Sequence, residues 1–151
     1  MITKKQSSID NYGDLIYKSL KLLAQALYPY IEERMREYYL DNWLKEAKNI
    51  LKNQQGLNKR NLDEALRKDV SLQLKLIYKL WDNIFKYDLS QGTEMSKSKV
   101  KKLLDIRNNC AHFFPFPKKK VDIALDSIIQ LLKTINAAEV ENVEKIKNRK
   151  Y

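Results

Sequence analysis

The sequence predicts an all-α fold, an up-and-down bundle of four to five main helices with a short C-terminal helix. Three observations lead there. The chain has only 3 Gly and 3 Pro among 151 residues, too few for the many tight turns of an all-β protein. Apolar residues recur three and four apart along most of its length, the period of a half-buried helix. The apolar share of 44% is that of a globular chain with a core, and the length suits one domain over residues 1–151, with 1–9 flexible.

The first helix is placed from about Asp10 to Leu27, where Tyr12, Leu15, Ile16, Leu20, Leu23 and Leu27 share a face. Pro29 is expected to break or kink it, because the residue before a proline avoids the helical region. A second helix is expected from Tyr30 to Leu51, bent near "YYLDNW", where Asp41 can cap a fresh start. "KNQQGLNKRNLD" is a polar connector too short to divide two domains. From Leu62 to Leu89 a wide stripe (Val70, Leu72, Leu74, Leu76, Ile77, Leu80, Trp81, Ile84, Phe85) predicts one helix buried between neighbours. "SQGTEMSKS" interrupts the pattern, and Thr93 or Ser96 can cap the next helix, from about Met95 to His112. "FFPFPKKK" ends it. A fifth helix with Asp122 at its start carries Val121, Leu125, Ile128, Leu132 and Ile135 on one face, and a more polar one spans about Ala138 to Asn148. Trp43 and Trp81, on apolar stripes, belong to the core.

The net charge is +10, from 29 basic and 19 acidic residues. Between Lys97 and Lys120 eight basic residues face one acid, Asp105, so this window alone nets +7. A concentrated positive field attracts polyanions and speeds their arrival. Lys101, Lys102 and Lys118–Lys120 are the candidate nucleic-acid contacts, although lysines on a solvated helix face also simply keep a protein soluble. One cysteine forms no internal disulfide and fits a reducing compartment. No apolar run approaches the roughly 20 residues of a membrane span, and "MITKKQSSIDNYGD" has no apolar signal region, so a soluble cytoplasmic protein with no membrane partner is expected.

The same window holds "LLDIRNNCAHFFPF", with the single histidine, His112, five residues after Arg107. Five helical residues turn through about 140° when reduced to one turn, so Arg107 and His112 do not face each other on a straight helix. Asn108 and His112, four apart, do share a face. Arg107 meets His112 only if the helix end unwinds, or across a two-fold axis that brings two copies of the stretch together. Imidazole gives and takes protons near neutral pH. Guanidinium binds phosphate through paired hydrogen bonds and stabilises developing negative charge. RNA carries its own nucleophile, the 2′-hydroxyl, so a base, a phosphate clamp and correct positioning suffice for strand cleavage. The sequence offers little for a metal site, with one His, one Cys and no carboxylate cluster at ligand spacing, and it has no glycine-rich phosphate loop or activated serine; no cofactor is expected. The plainer reading is a histidine compensating a helix C-terminus beside a surface arginine. Cys110 is made reactive if Arg107 depresses its pKa, or is simply packed. Phe113, Phe114 and Phe116 either stack bases beside the basic patch or close the core. Tyr38 and Tyr39 fit a dimer interface or a ligand surface.

"DIRNNCAH" at a helix end resembles the signature of the HEPN superfamily (higher eukaryotes and prokaryotes nucleotide-binding): an arginine, a polar residue, variable positions, then a histidine. Arg107, Asn108 and His112 match it in turn. "LYPYIEERMREYYLDNWL" and "VDIALDSIIQLLKTINAAEVENVEKI" are similar to one HEPN subgroup, found in a nuclear RNA endonuclease of transcript quality control and in bacterial defence proteins, and the resemblance runs from about Asp14 to Ile146. It implies a helical bundle that dimerises through the motif helices. It also implies a metal-independent endoribonuclease with a composite site acting on tRNA or mRNA, leaving a 2′,3′-cyclic phosphate. His112 would be general base or acid, Arg107 would hold the scissile phosphate and Asn108 would orient or polarise. An antitoxin or a nucleotidyltransferase would be the regulatory partner. Some HEPN toxins carry a tyrosine two residues after the histidine, which the nucleotidyltransferase modifies; Phe114 stands there in this chain. Other members keep the bundle and act only as modules binding RNA, nucleotide or a partner protein.

Overall fold

The computed structural model describes the backbone of residues 2–52, 61–111 and 116–149, and the side chains of residues 12–52, 61–110 and 116–148. Its helices are α1 (Ile2–Tyr39), α2 (Trp43–Leu51), α3 (Leu62–Lys68), α4 (Val70–Lys79), α5 (Lys86–Leu89), α6 (Lys97–Ala111), α7 (Lys118–Thr134) and α8 (Val140–Arg149). Among the described residues there is no strand, so the all-α expectation holds. No helix is long and apolar enough, among those residues, to cross a membrane. The α1 helix packs on α4 and α7, α6 lies against α4, and α8 against α7.

The α1 helix begins at Ile2, eight residues before the expected start and within the stretch expected to be flexible, and it runs through Pro29 without a break. A proline inside a helix lacks the N–H that the carbonyl four residues back, at Gln25, would accept. The helix continues because its buried stripe keeps register on both sides: Ile16, Leu20, Leu23 and Leu27 before the proline, Ile31 and Met35 after it. The first real break comes at Leu40, whose φ of 54° lies in the left-handed region. A single 3₁₀ turn (Leu40–Asn42) then leads into α2. The bend in "YYLDNW" was legible, but Asp41 does not cap the new helix. Asn42 precedes α2 without a side-chain cap, and the Asp41 carboxylate lies 3.7 Å from Arg36.

The expected single helix over Leu62–Leu89 is three. Asn61 caps α3, accepting from the Glu64 N–H. The chain then breaks at Asp69, which is extended (φ −99°, ψ 99°) and is both the last residue of α3's cap and the N-cap of α4. Its carboxylate accepts from the Ser71 N–H at 3.0 Å and the Ser71 hydroxyl at 2.6 Å. The α4 helix is the centre of the bundle: Val70 to Leu74 are all buried, as are Leu76 and Ile77, which is why the apolar stripe looked so wide. A π-helical turn at Trp81–Phe85 then sends Trp81, Ile84 and Phe85 inward together. Ser96 caps α6, as expected, accepting from the Lys99 N–H at 3.2 Å. The α7 helix starts at Lys118, ahead of Asp122, with Pro117 at its N-cap, so Lys118–Lys120 form its first turn. Asn136 (φ 57°) ends it in a Schellman turn, with Ala137 N–H donating to the Leu132 carbonyl and Asn136 N–H to that of Lys133.

One buried polar side chain ties these irregularities together. Gln73, on α4, is fully buried. Its amide nitrogen donates to the Ala24 carbonyl of α1 at 2.9 Å and to the Leu66 carbonyl at 2.6 Å. Leu66 lies in the last turn of α3, and the break at Asp69 takes away the helical N–H its carbonyl would otherwise accept. The amide thus satisfies a carbonyl orphaned by that break and holds it against the proline-containing stretch of α1. Two phenols pin α1 further: the Tyr28 hydroxyl donates to Asp63, and that of Tyr30 to Asp88 at 2.6 Å. Burial and the neighbouring carboxylates push Tyr28 up to about 12 and raise Tyr30 in the same sense.

Two outcomes follow from this packing. Gln73→Met, which keeps the volume and removes the amide donor, should lower unfolding free energy by about 1–3 kcal/mol in urea titration, because it strands the buried Leu66 carbonyl; a loss under about 0.5 kcal/mol would show that the amide does not hold the junction. A folded-state pKa above the unfolded one contributes stability below the unfolded value and loses it as pH rises through the folded value. The stability advantage of wild type over Tyr28→Phe should therefore be constant up to about pH 9 and shrink as pH passes from 10.0 toward about 12. A pH-independent difference in urea midpoints would contradict that assignment.

Candidate functional site

The break at Asp69 brings a carboxylate to the motif helix. Arg107 lies on α6, four residues before its end, and its Nη2 is 3.8 Å from Asp69 Oδ1. Its Nη1 donates to the Asn108 side-chain oxygen at 3.3 Å. The Asp69 carboxylate is mostly buried and the Arg107 side chain is one-third exposed (17% and 33%), so one partner is fixed and the other opens to solvent. The guanidinium thus has one hydrogen bond, to Asn108, and one ion pair, to Asp69, and remains partly open to solvent, and a guanidinium with donors to spare can bind an anion.

Arg107 forms part of the wall of an open groove of about 1140 Å³ between α1, the α3–α4 junction and α6. Four cationic side chains line it, Lys21, Arg67, Lys68 and Arg107, against two carboxylates, Glu32 and Asp69. Arg67 is ordered by its neighbours: its guanidinium carbon lies 4.3 Å from the Tyr28 ring centroid and its Nη2 3.4 Å from Asp63. Tyr17 is more than half exposed, with the Lys21 ammonium 5.5 Å from its ring centroid. Lys21, Tyr17, Arg67, Lys68 and Asp69 were not legible as site residues, since they come from segments far apart in sequence. The one local signal was "KDVS", an aspartate two residues before a serine, which is a helix-cap pattern.

The structure brings Arg107 and Asn108 together. His112 lies outside the described residues, as do Phe113 and Phe114. Phe116 is buried in the core. Lys101 and Lys102 are exposed on α6, about 120° and 140° around the helix from Arg107, and Lys101 is paired with Asp105 at 2.8 Å. Lys118, Lys119 and Lys120 are exposed on the first turn of α7. None of these five lysines lines the groove. The +7 window is also partly spent within the fold: Lys97 is 3.6 Å from Asp82, and Lys99 donates to Gln130 at 3.1 Å. Cys110 lines the groove beside Arg107, and burial raises its thiol pKa against the opposing pull of that arginine, in keeping with the packed rather than the reactive of the two readings of this cysteine. Trp43 and Trp81 are core residues as expected, Tyr38 is exposed and Tyr39 packs partly against the core. Among the described residues, no three His, Cys, Asp or Glu side chains cluster as metal ligands would.

No curated protein and no solved structure matches the chain. The family described as Swt1-like HEPN matches residues 18–136, a span from α1 through the end of α7 that includes the α3–α4 junction, Arg107, Asn108 and His112. A bundle of helices whose sixth carries Arg107 and Asn108 near its end is in keeping with that match, and the chain belongs to the Swt1-like HEPN family.

Proposed function

We propose that this protein is a metal-independent endoribonuclease whose site combines Arg107, Asn108 and His112 across a homodimer formed through the motif helices. HEPN families include RNA-cleaving enzymes. The observation that carries the reading to this chain is the Arg107 guanidinium, held by Asp69 and Asn108 and still open to solvent at the wall of a cationic groove. A preorganised guanidinium aimed at a phosphate stabilises negative charge without reorganising during the reaction.

In this reading His112 takes the proton from a ribose 2′-hydroxyl, and the oxygen attacks the adjacent phosphorus. The bond to the 5′-oxygen breaks, that oxygen takes up a proton, and a 2′,3′-cyclic phosphate and a 5′-hydroxyl end remain. Arg107 holds the non-bridging oxygens as charge builds on them, and Asn108 fixes the guanidinium. A straight helix sets positions 107 and 112 about 140° apart, so a histidine from the partner subunit is the simpler complement to Arg107. Lys101, Lys102 and Lys118–Lys120 supply outlying contacts to the backbone of a tRNA or mRNA. The protein works in the cytoplasm as a defence or toxin component under an antitoxin-type partner. Phe114 stands where modification by a nucleotidyltransferase would need a tyrosine.

A second reading has one observation in its favour. The Asp69 carboxylate at 3.8 Å partly neutralises Arg107, as in an ion pair that only supports the fold. A non-catalytic module of this kind would bind RNA, nucleotide or a partner protein, and its RNA binding would survive loss of His112.

The test is cleavage of mixed tRNA and single-stranded RNA in EDTA, with product ends analysed. Wild type should leave cyclic phosphates. His112→Ala and Arg107→Ala should each lose about 10²–10⁴-fold in rate, with helicity and dimerisation unchanged. Cleavage by either variant at the wild-type rate would remove that residue from the site, and no cleavage by wild type would favour the binding module.

A further inference from the structure

The groove does more than expose Arg107. At about 1140 Å³ it exceeds the usual range of about 300–1,000 Å³ for a small-molecule site, and it is open to solvent. Its cationic side chains come from three segments, Lys21 on α1, Arg67 and Lys68 on α3, and Arg107 on α6, and outnumber the two carboxylates, Glu32 and Asp69, that line it with them, so they mark a track. Two flat surfaces accompany the cations. Tyr17 exposes 54% of its surface although it is a large aromatic residue next to a buried stripe. Arg67 lies on the Tyr28 ring with its side chain 53% exposed. Cations that follow a backbone, together with exposed planar groups that accept any base, are the combination by which proteins hold single-stranded nucleic acid. An acidic peptide would use the cations and leave the planar surfaces without a role.

We infer that this groove binds a short stretch of single-stranded RNA and leads it to Arg107, with a base stacked on Tyr17 and successive phosphates on Lys21 and Lys68. The inference takes its choice of RNA from the ribonuclease reading, and it adds a binding track that the Arg-Asn-x3-His stretch does not contain. Arg67, clamped by Tyr28 and Asp63, is the fixed wall of the track, while Lys21 and Lys68 adapt to the strand.

Binding can be read apart from cleavage with a fluorescein-labelled single-stranded RNA oligonucleotide whose sugars are all 2′-O-methyl, because it has no 2′-hydroxyl to attack. Fluorescence anisotropy with the full chain should be followed across a range of KCl concentrations. The double variant Lys21→Gln/Lys68→Gln should bind at least about tenfold more weakly and lower the salt slope by about 1.4, as expected for two lost phosphate contacts on a single strand. Tyr17→Ala should weaken binding by about five- to tenfold and leave the slope unchanged, since stacking releases no counterions. All three positions are at the surface, and circular dichroism checks that the variants fold. Wild-type affinity and slope in both variants would overturn the inference. So would a failure of wild type to bind the probe, or its displacement by polyglutamate together with no effect of Tyr17→Ala. The groove and the chemistry fail separately: weakened binding in these variants with no cleavage of unmodified RNA by wild type sinks only the ribonuclease reading, and cleavage by wild type with unchanged binding in the variants sinks only the track.

Discussion

The buried amide of Gln73, reaching from α4 to the carbonyls of Ala24 on α1 and Leu66 on α3, holds the junction beside which Arg107 lies. A buried donor group with two carbonyl partners is an unusual feature in a helical core, where backbone groups normally satisfy one another. Here it is needed because the segment between α3 and α4 breaks at an extended aspartate and leaves the Leu66 carbonyl without its helical donor. Gln73 donates to that carbonyl and to the Ala24 carbonyl of α1, and so joins the broken segment to its neighbour. The break can be buried beside α1 because its orphaned carbonyl has a donor, and α4 can begin at Val70 because Asp69 caps it.

What the break provides is position. A helix running unbroken through residue 69 would carry that aspartate on its own spiral, with its oxygens aimed wherever the period placed them. In the broken form Asp69 turns its carboxylate toward its own Ser71 and toward Arg107 of α6. Arg67 and Lys68, the last residues of α3, are left at the rim of the same junction and line the groove. Backbone irregularity, electrostatic positioning of the motif arginine and the cationic character of the groove are thus one feature seen at three scales. Such departures from local regularity concentrate at functional sites in other proteins as well.

The sequence made the helical class, the approximate helix positions and the Ser96 cap legible, because periodicity and local caps are properties of neighbouring residues. It misled about where the helices end. Pro29 is the strongest local breaker in the chain and breaks nothing, since the stripe from Ile16 to Met35 stays buried across it. Leu40 and Asp69 are weak breakers and do interrupt the chain; Leu40 adopts a left-handed conformation usually given to glycine, and Asp69 is stabilised by Ser71 while Gln73 satisfies the Leu66 carbonyl that the break exposes. The site divides in the same way. Arg107 and Asn108 sit side by side in sequence and stay together in space. Lys21, Arg67 and Asp69 join them only through tertiary packing, and the lysines that looked most suited by charge lie on other faces.

If Arg107 of one subunit works with His112 of another, as we propose, two inactive variants restore activity to each other when mixed. In a heterodimer of Arg107→Ala and His112→Ala, a shared site takes its intact arginine from one subunit and its intact histidine from the other, so one of the two sites is restored. Refolding the variants together should recover about a quarter of wild-type RNA cleavage, since about half the dimers are mixed and each has one working site. Mixtures that stay as inactive as the separate variants, while native mass spectrometry shows that heterodimers have formed, would contradict a site shared between subunits.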